Sequence, residues 1–281
     1  MLHLNTALKE DFTRYLQTRF RELETTPTLN VVQVGEDKVS NKYVTLKQKL
    51  ATKLGTELKW WKFDAEAAVS AVEAVVENIS PQDGLIYQLP IPARFNSLVE
   101  NIHPYLDVDL LGSMHSVLEA DNLLPPTIGA IDLLLKEILQ NEKFDLETAL
   151  QQQTNLEGTR VGVVGQGKLV GAPLTRYLLA RNATVVSVNV DTANPEELIS
   201  KCDLVVSAAG VPGLVTKDWL KPDAIVIDAA TSEGENALVG DVNLENIYDT
   251  NLVCTTPRGV GGITVLYLFY NLLRLHRPSS T

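Results

Sequence analysis

Short runs of β-branched and apolar residues alternate with helix-period segments twice along this chain, and that alternation restricts the fold more than any other feature. In the first series Thr28 to Val34 reads as a buried strand stopped at Gly35, and a helix capped by Ser40 runs to Gly55. A strand over about 57–63 and an Ala/Val-rich helix over about 65–78 follow, before Gly84 to Pro90 gives a short strand ended by proline. A helix over about 5–24 precedes them all. In the second series, strand Val161–Val164 leads to helix Leu174–Arg181, strand Thr184–Val190, a helix from Pro195, and strands at Leu204–Ala208 and Ala224–Ile227. Strands separated by helices are joined by crossovers, so each series predicts a parallel sheet flanked by helices. A helix over Ile128–Leu139 and the polar stretch Gln140–Gly158, with its Gln151-Gln152-Gln153 run, mark the change of domain. The apolar helix over about 264–275 is expected to dock back on the first lobe. The predicted fold class is therefore α/β, with two αβ lobes flanking a cleft, divided as 1–135 with 264–281 and 136–263.

A length of 281 residues is about twice that of a common domain, which agrees with two lobes. The net charge of −11 argues against nucleic acid or an anionic membrane as partner, because the field of the whole chain repels phosphate. The two cysteines, Cys202 and Cys254, lie far apart with no histidine at ligand spacing, so neither a disulfide framework nor a metal site is expected. A reducing compartment fits. The first residues lack the pattern of a leader, and no run reaches the roughly 20 apolar residues of a membrane span, so a soluble, cytoplasmic protein is expected.

Gly165-Gln166-Gly167-Lys168-Leu169-Val170-Gly171 follows a Val-rich strand and opens a helix. Glycines there let the backbone approach a pyrophosphate, and a helix N-terminus offers N–H donors and the positive dipole end. The alternative is a tight turn of any α/β protein. Asp191 ends the next strand, where an acid accepts hydrogen bonds from an adenosine ribose; it equally suits the cap of a following helix. On the helix after Ser40, Lys47 shares a face with Tyr43, Leu50 and Leu54. Such a lysine either snorkels to an edge or sits in a pocket with its pKa lowered. Gln88 at a strand end and the pair Asp107 and Asp109 fall on segments able to share its cleft, although each alone reads as a cap or turn residue.

Taken in order, these segments resemble the bifunctional methylenetetrahydrofolate dehydrogenase/cyclohydrolase (FolD) family. Val34-Gly35-Glu36-Asp37 with Ser40, Tyr43-Val44 and Lys47 is similar to its first signature, Gln88-Leu89-Pro90-Ile91-Pro92 to its second, and Asp107-Val108-Asp109 with Gly112 to its third. Val164-Gly165, Leu169 to Leu174, Ala183-Thr184-Val185, Ala209-Gly210-Val211-Pro212, Val226-Ile227-Asp228, Gly240-Asp241-Val242 and Pro257 to Thr264 continue the series. The resemblance implies a folate-binding catalytic lobe, a Rossmann-like NAD(P)-binding lobe, and a homodimer. It implies oxidation of 5,10-methylenetetrahydrofolate by NAD(P)+ and hydrolysis of the methenyl product to 10-formyltetrahydrofolate. By the same resemblance Lys47 serves as general base of hydrolysis or polarises the water, Gln88 holds its amine, Tyr43 stacks on or lines the folate rings and Asp109 binds the pterin. Gly259, Val260 and Gly261 form a backbone wall where folate meets nicotinamide, and Gly165, Gln166, Gly167, Lys168, Val170, Gly171, Asp191 and Gly210 hold the dinucleotide.

Two departures bear on the cofactor. The family commonly has Arg-Ser after the first turn glycine and Cys-His-Ser after the next strand; this chain has Gln166-Gly167 and Val188-Asn189-Val190. The usual partners of a 2′-phosphate are therefore missing. NADP is the family's usual cofactor, but Gln166, Val190 and Asp191 lean toward NAD, with Lys168 or Arg181 the substitutes available for a phosphate. The competing readings are a related dehydrogenase acting on another pterin, and a dinucleotide-binding regulatory protein that has lost catalysis.

Overall fold

The computed structural model describes residues 5–112, 123–140, 144–233, 238–255 and 259–276. In order, the elements are α1 (Asn5–Arg21), β1 (Thr28–Val34), α2 (Lys38–Leu54), β2 (Glu57–Phe63), α3 (Val69–Val76), β3 (Gly84–Tyr87) and α4 (Asn96–Glu100). Then come α5 (Pro126–Gln140), α6 (Leu146–Gln151), β4 (Arg160–Val164), α7 (Gly171–Leu179), β5 (Thr184–Val188), α8 (Pro195–Ile199) and β6 (Leu204–Ser207). The series ends with β7 (Ile225–Asp228), β8 (Ser232–Glu233), β9 (Leu238–Val239), β10 (Leu252–Cys254) and α9 (Val260–Leu275). The chain divides into two compact units: residues 12–126 with 265–281, and residues 1–11 with 127–264.

The first unit is built on a three-stranded sheet of order β2-β1-β3, parallel throughout. Central β1 is buried along nearly its whole length, as a strand covered on both faces must be. Beside β3 the chain makes one further parallel bridge, Leu85 to Asp107. Gly84 is where this packing is closest: a Cβ there would lie 2.4 Å from Val108 and 2.6 Å from Leu272 of α9. Phe12 of α1 packs edge-on against Tyr267 and Tyr270 of the same helix. Buried Asn271 donates to the carbonyls of Val108 (3.0 Å) and Leu124 (2.9 Å).

The second unit carries a parallel sheet of order β10-β7-β6-β4-β5. From β4 the chain winds outward through α7 to β5, then returns to the other side of β4 for β6, β7 and β10. The strand order therefore reverses between β4 and β6, and the crevice at their carboxyl ends is where open α/β sheets bind ligands.

Element ends differ from the sequence reading in instructive ways. The cap of α2 is Asp37, whose carboxylate accepts from the Ser40 amide at 2.6 Å, so the helix begins before Ser40. Gly55 does close it, in the left-handed conformation at φ 83°. The polar stretch after α5 holds a helix, α6, capped by Asp145. Helix α3 is shorter than its Ala/Val-rich run. Strand β5 stops at Val188, because Asn189 to Thr192 fold into a turn closed by Asn189 and Thr192 side chains. Helix α9 begins at Val260, four residues earlier than its apolar pattern suggests. No described helix is long and apolar enough to cross a membrane.

Candidate active site

In the first unit, α2 leaves the carboxyl edge of the sheet and runs back along it. Side chains of a helix lean toward its N-terminus, so Lys47, midway along α2, reaches back toward that edge. Its amine donates to Gln88 Oε1 at 2.9 Å. Gln88 directly follows β3, and its backbone amide donates to Val32 O at 2.8 Å, which continues the sheet ladder by one residue. Its side-chain amide is oriented as well: Nε2 donates to Leu89 O at 3.1 Å, leaving Oε1 for the lysine. The same carbonyl accepts from Ser40 Oγ at 3.0 Å. Ser40 thus ties the start of α2 to the cis Leu89-Pro90 turn instead of capping the helix.

Asp109 is on the segment beyond the bridge to β3 and interacts electrostatically with Lys47. Burial pushes the Lys47 amine below its ordinary pKa and the Asp109 carboxyl above its own, each opposed by attraction to the other. Both directions favour neutral forms, a state in which an amine is able to accept a proton. Tyr43 is half-buried one turn before Lys47 on α2. Asp107 has a separate place. Fully buried, it accepts from the Gly112 amide at 2.7 Å and curls residues 107–112 about its own carboxyl, pushed up to about 7 by burial. The backbone at Leu110 takes φ 54° in that curl. Asn271 fixes Val108 from the other side, so Asp109 sits on a segment held at both flanks.

In the second unit, Gly165 turns the chain at φ 95°, and a Cβ on it would stand 2.7 Å from Ala208 O. A Cβ on Gly171 would meet Gly165 O at 1.9 Å, whereas one on Gly167 would meet nothing within 4 Å. The first and last glycines serve close packing of turn on helix. Gly167 and Lys168 are exposed above the start of α7, with Val170 at its first turn. Gly171→Ala is therefore expected to destabilise by at least the ~1–3 kcal/mol typical of overpacking. Gly167→Ala should leave urea unfolding unchanged within ~0.5 kcal/mol, as surface substitutions do.

Gln166 folds inward, donating to Gly165 O (3.0 Å) and Thr175 Oγ1 (3.2 Å). Gly210 follows β6 at φ 71°, and Asp191 is exposed in the turn after β5, beside Val190 at 97% exposure. Gly259 begins the approach to α9 beyond β10, where a Cβ would strike Thr255 O at 2.5 Å; Val260 is buried and Gly261 faces open space. Pro257 and Arg258 of the same signature lie outside the described residues. Arg181 does not sit near the turn. It follows the far end of α7 with its guanidinium 4.8 Å over the Tyr177 ring.

Each unit thus has its own constellation at the carboxyl edge of a parallel sheet. One is an amine, an amide and a carboxyl; the other is a glycine-rich strand-to-helix turn at a topological switch point, which defines a dinucleotide-binding α/β protein with a second ligand-binding unit. Among the described residues no group of three His, Cys, Asp or Glu is placed to hold a metal ion.

Residues 3–109 match the family model described as tetrahydrofolate dehydrogenase/cyclohydrolase, catalytic domain, and residues 146–279 match that of its NAD(P)-binding domain. The chain is 33% identical over 261 residues to the bifunctional protein FolD of Heliobacterium modesticaldum, covering 90% of this chain and 87% of that one. With the FolD of Acholeplasma laidlawii the identity is 31% over 270 residues, 93% and 92% of the two chains. A crystal structure of the Trypanosoma brucei methylenetetrahydrofolate dehydrogenase-cyclohydrolase, complexed with NADP cofactor and inhibitor, superposes with a TM-score of 0.80 at 27% identity over 97% of this chain and 95% of that one. The chain belongs to the tetrahydrofolate dehydrogenase/cyclohydrolase family.

Proposed function

We propose that this protein oxidises 5,10-methylenetetrahydrofolate with NAD(P)+ and hydrolyses the resulting 5,10-methenyltetrahydrofolate to 10-formyltetrahydrofolate. The observation that carries this reading is the Lys47–Gln88 hydrogen bond, with the amide turned by Leu89 O and a carboxyl nearby. In the first reaction the departing hydride leaves a carbon between two nitrogens, whose lone pairs stabilise the cation, so the protein's task is placement. Asp109 accepts hydrogen bonds from the pterin amino and ring N–H groups, and Tyr43 lines the ring face. In the second reaction water adds to the methenyl carbon and loses a proton, and the bond from that carbon to N5 then breaks as N5 takes up a proton, leaving the formyl group on N10. Lys47, whose neutral form burial favours, takes the proton from the water while Gln88 Oε1 aims its nitrogen.

The dinucleotide, when bound, supplies the hydride acceptor. Residues of the second unit fit it: Gly165 and Gly171 let the turn pack closely on the start of α7, Gly167 leaves backbone open there, and the N–H groups of the helix's first turn suit a pyrophosphate, with Gln166, Lys168 and Val170 completing the turn. Gly210 lines the neighbouring loop, and Gly259, Val260 and Gly261 offer a backbone surface beyond β10. Protein given methylenetetrahydrofolate and either dinucleotide should produce methenyl absorbance and then lose it faster than the spontaneous rate. Reduction of neither NAD nor NADP would reject the proposal.

Between the two dinucleotides we propose NAD. Gln166 is engaged with Thr175, Arg181 is stacked at the other end of α7, and the exposed Asp191 is free to repel a 2′-phosphate or accept from the ribose 2′-hydroxyl. Steady-state kinetics should give a higher kcat/KM with NAD, and Asp191→Ser should narrow the gap by improving NADP use. An unchanged ratio would leave Asp191 as a turn residue only. The family resemblance also supports a cytoplasmic homodimer, for which light scattering at twice the chain mass is the check.

A further inference from the structure

The loop after β6 carries Gly210 and lies beside the glycine-rich turn, since the space a Cβ on Gly165 would need is already filled by Ala208 O. The loop's own sequence supplies a backbone turn, Leu214 N donating to Val211 O at 3.2 Å, and Ser232 Oγ donates to Gly210 O at 3.2 Å. The amides of residues 209–211 converge on a side chain thirty or more residues ahead: Asp241, fully buried. Asp241 Oδ2 accepts from Ser207 Oγ (2.7 Å), Ala209 N (2.8 Å) and Gly210 N (3.3 Å), and Oδ1 accepts from Val211 N (2.7 Å). Four donors on one carboxylate leave its charge well satisfied without a cation.

Asp241 is itself fixed. Its amide donates to Asp228 Oδ1 at 3.1 Å, and that of Val242 to Asp228 Oδ2 at 3.0 Å. Gly240 makes the approach possible, because a Cβ there would stand 1.9 Å from Asp228 Oδ2. The carboxyl end of β7 therefore positions Asp241, and Asp241 positions the loop at the carboxyl end of β6, one wall of the switch-point crevice.

We propose that Asp241 is a positioning residue for the dinucleotide: it holds Ala209, Gly210 and Val211 in the one backbone arrangement that receives the cofactor, without touching the cofactor itself. The inference rests on the dinucleotide reading of this unit. The substitution Asp241→Asn is the sharpest probe. An amide is able to keep the three Oδ2 bonds, but its NH2 group must then face the Val211 amide, donor against donor. The shape is preserved and one anchor of the loop is lost.

Asp241→Asn should raise the dinucleotide KM by about tenfold or more, the loss of one charge-assisted hydrogen bond expressed as binding. The folate KM should hold. Ser207→Ala removes a single side-chain donor and should give a smaller rise of the same kind, about two- to fivefold by the same conversion. That second variant decides the matter if Asp241→Asn does not fold. A merely structural role would lower the melting temperature and move both KM values together, or neither, and either result overturns the proposal. Calorimetric titration of NAD and NADP into the unaltered protein separates the layers: no binding of either rejects the dinucleotide reading beneath, whereas binding that both variants leave unchanged rejects the role of Asp241 alone.

Discussion

Lys47→Met is expected to reduce hydrolysis of 5,10-methenyltetrahydrofolate by about 10²–10⁴-fold, the contribution of a positioned general base. Methionine fills nearly the same volume, so the packing of α2 is kept while the proton acceptor is removed. Dinucleotide binding should be untouched, since the residues assigned to it are in the other unit. Oxidation of methylenetetrahydrofolate that survives the change would place the lysine in the second reaction only. Unchanged hydrolysis would remove its proposed role.

The pH profile gives an independent reading of the same amine. Burial lowers the Lys47 pKa and Asp109 partly restores it. The neutral amine is the active form, so hydrolysis should rise with pH through a limb below the ordinary lysine value. Asp109→Asn deletes the opposing charge and should move that limb to lower pH, together with a rise in the folate KM. A limb that stays in place would separate Asp109 from the lysine.

How far the sequence discloses this arrangement depends on how local each cause is. Strand β1 and strand β2 have the bounds that their β-branched and alternating runs suggest: the buried central β1 is dictated residue by residue, and the largely exposed edge strand β2 by its own local run. The end of α2 is equally local, as Gly55 alone supplies the left-handed turn. Its beginning is less so: Asp37 and Ser40 both satisfy the capping pattern, and only the tertiary contact of Ser40 with Leu89 O decides between them. Lys47 and Gln88 stand out in the sequence, but their bond spans 41 residues and comes from topology. The roles of Asn271 and Asp241 are hidden in the sequence for the same reason. The available signals were a polar residue within the apolar run of α9 and an acid after Gly240, each explained only by distant backbone groups.

Helix α6 is a further case, and it leads to the largest stability effect expected in this protein. Its Gln-rich segment has little apolar periodicity, and its last carbonyls need partners. Lys136 of α5, almost wholly buried, supplies them, donating to Ala149 O (2.6 Å) and Gln152 O (2.6 Å) and pairing with Asp132 at 2.7 Å. The other oxygen of Asp132 accepts from Thr154 and from the Tyr177 hydroxyl of α7. One ion pair thus joins α5, the end of α6 and α7. Removing one member leaves the other charge buried. Asp132→Ala should therefore cost about 3–5 kcal/mol in urea unfolding, the range for breaking a buried pair. Lys136→Met should cost less, because two hydroxyl donors still serve the carboxylate. The double variant Asp132→Leu/Lys136→Met should cost less than the two single changes added together, since neither charge is then stranded. Additive losses would mean that the pair contributes as separate packing units, and that α6 is held by its Asp145 cap and apolar contacts instead of by the lysine.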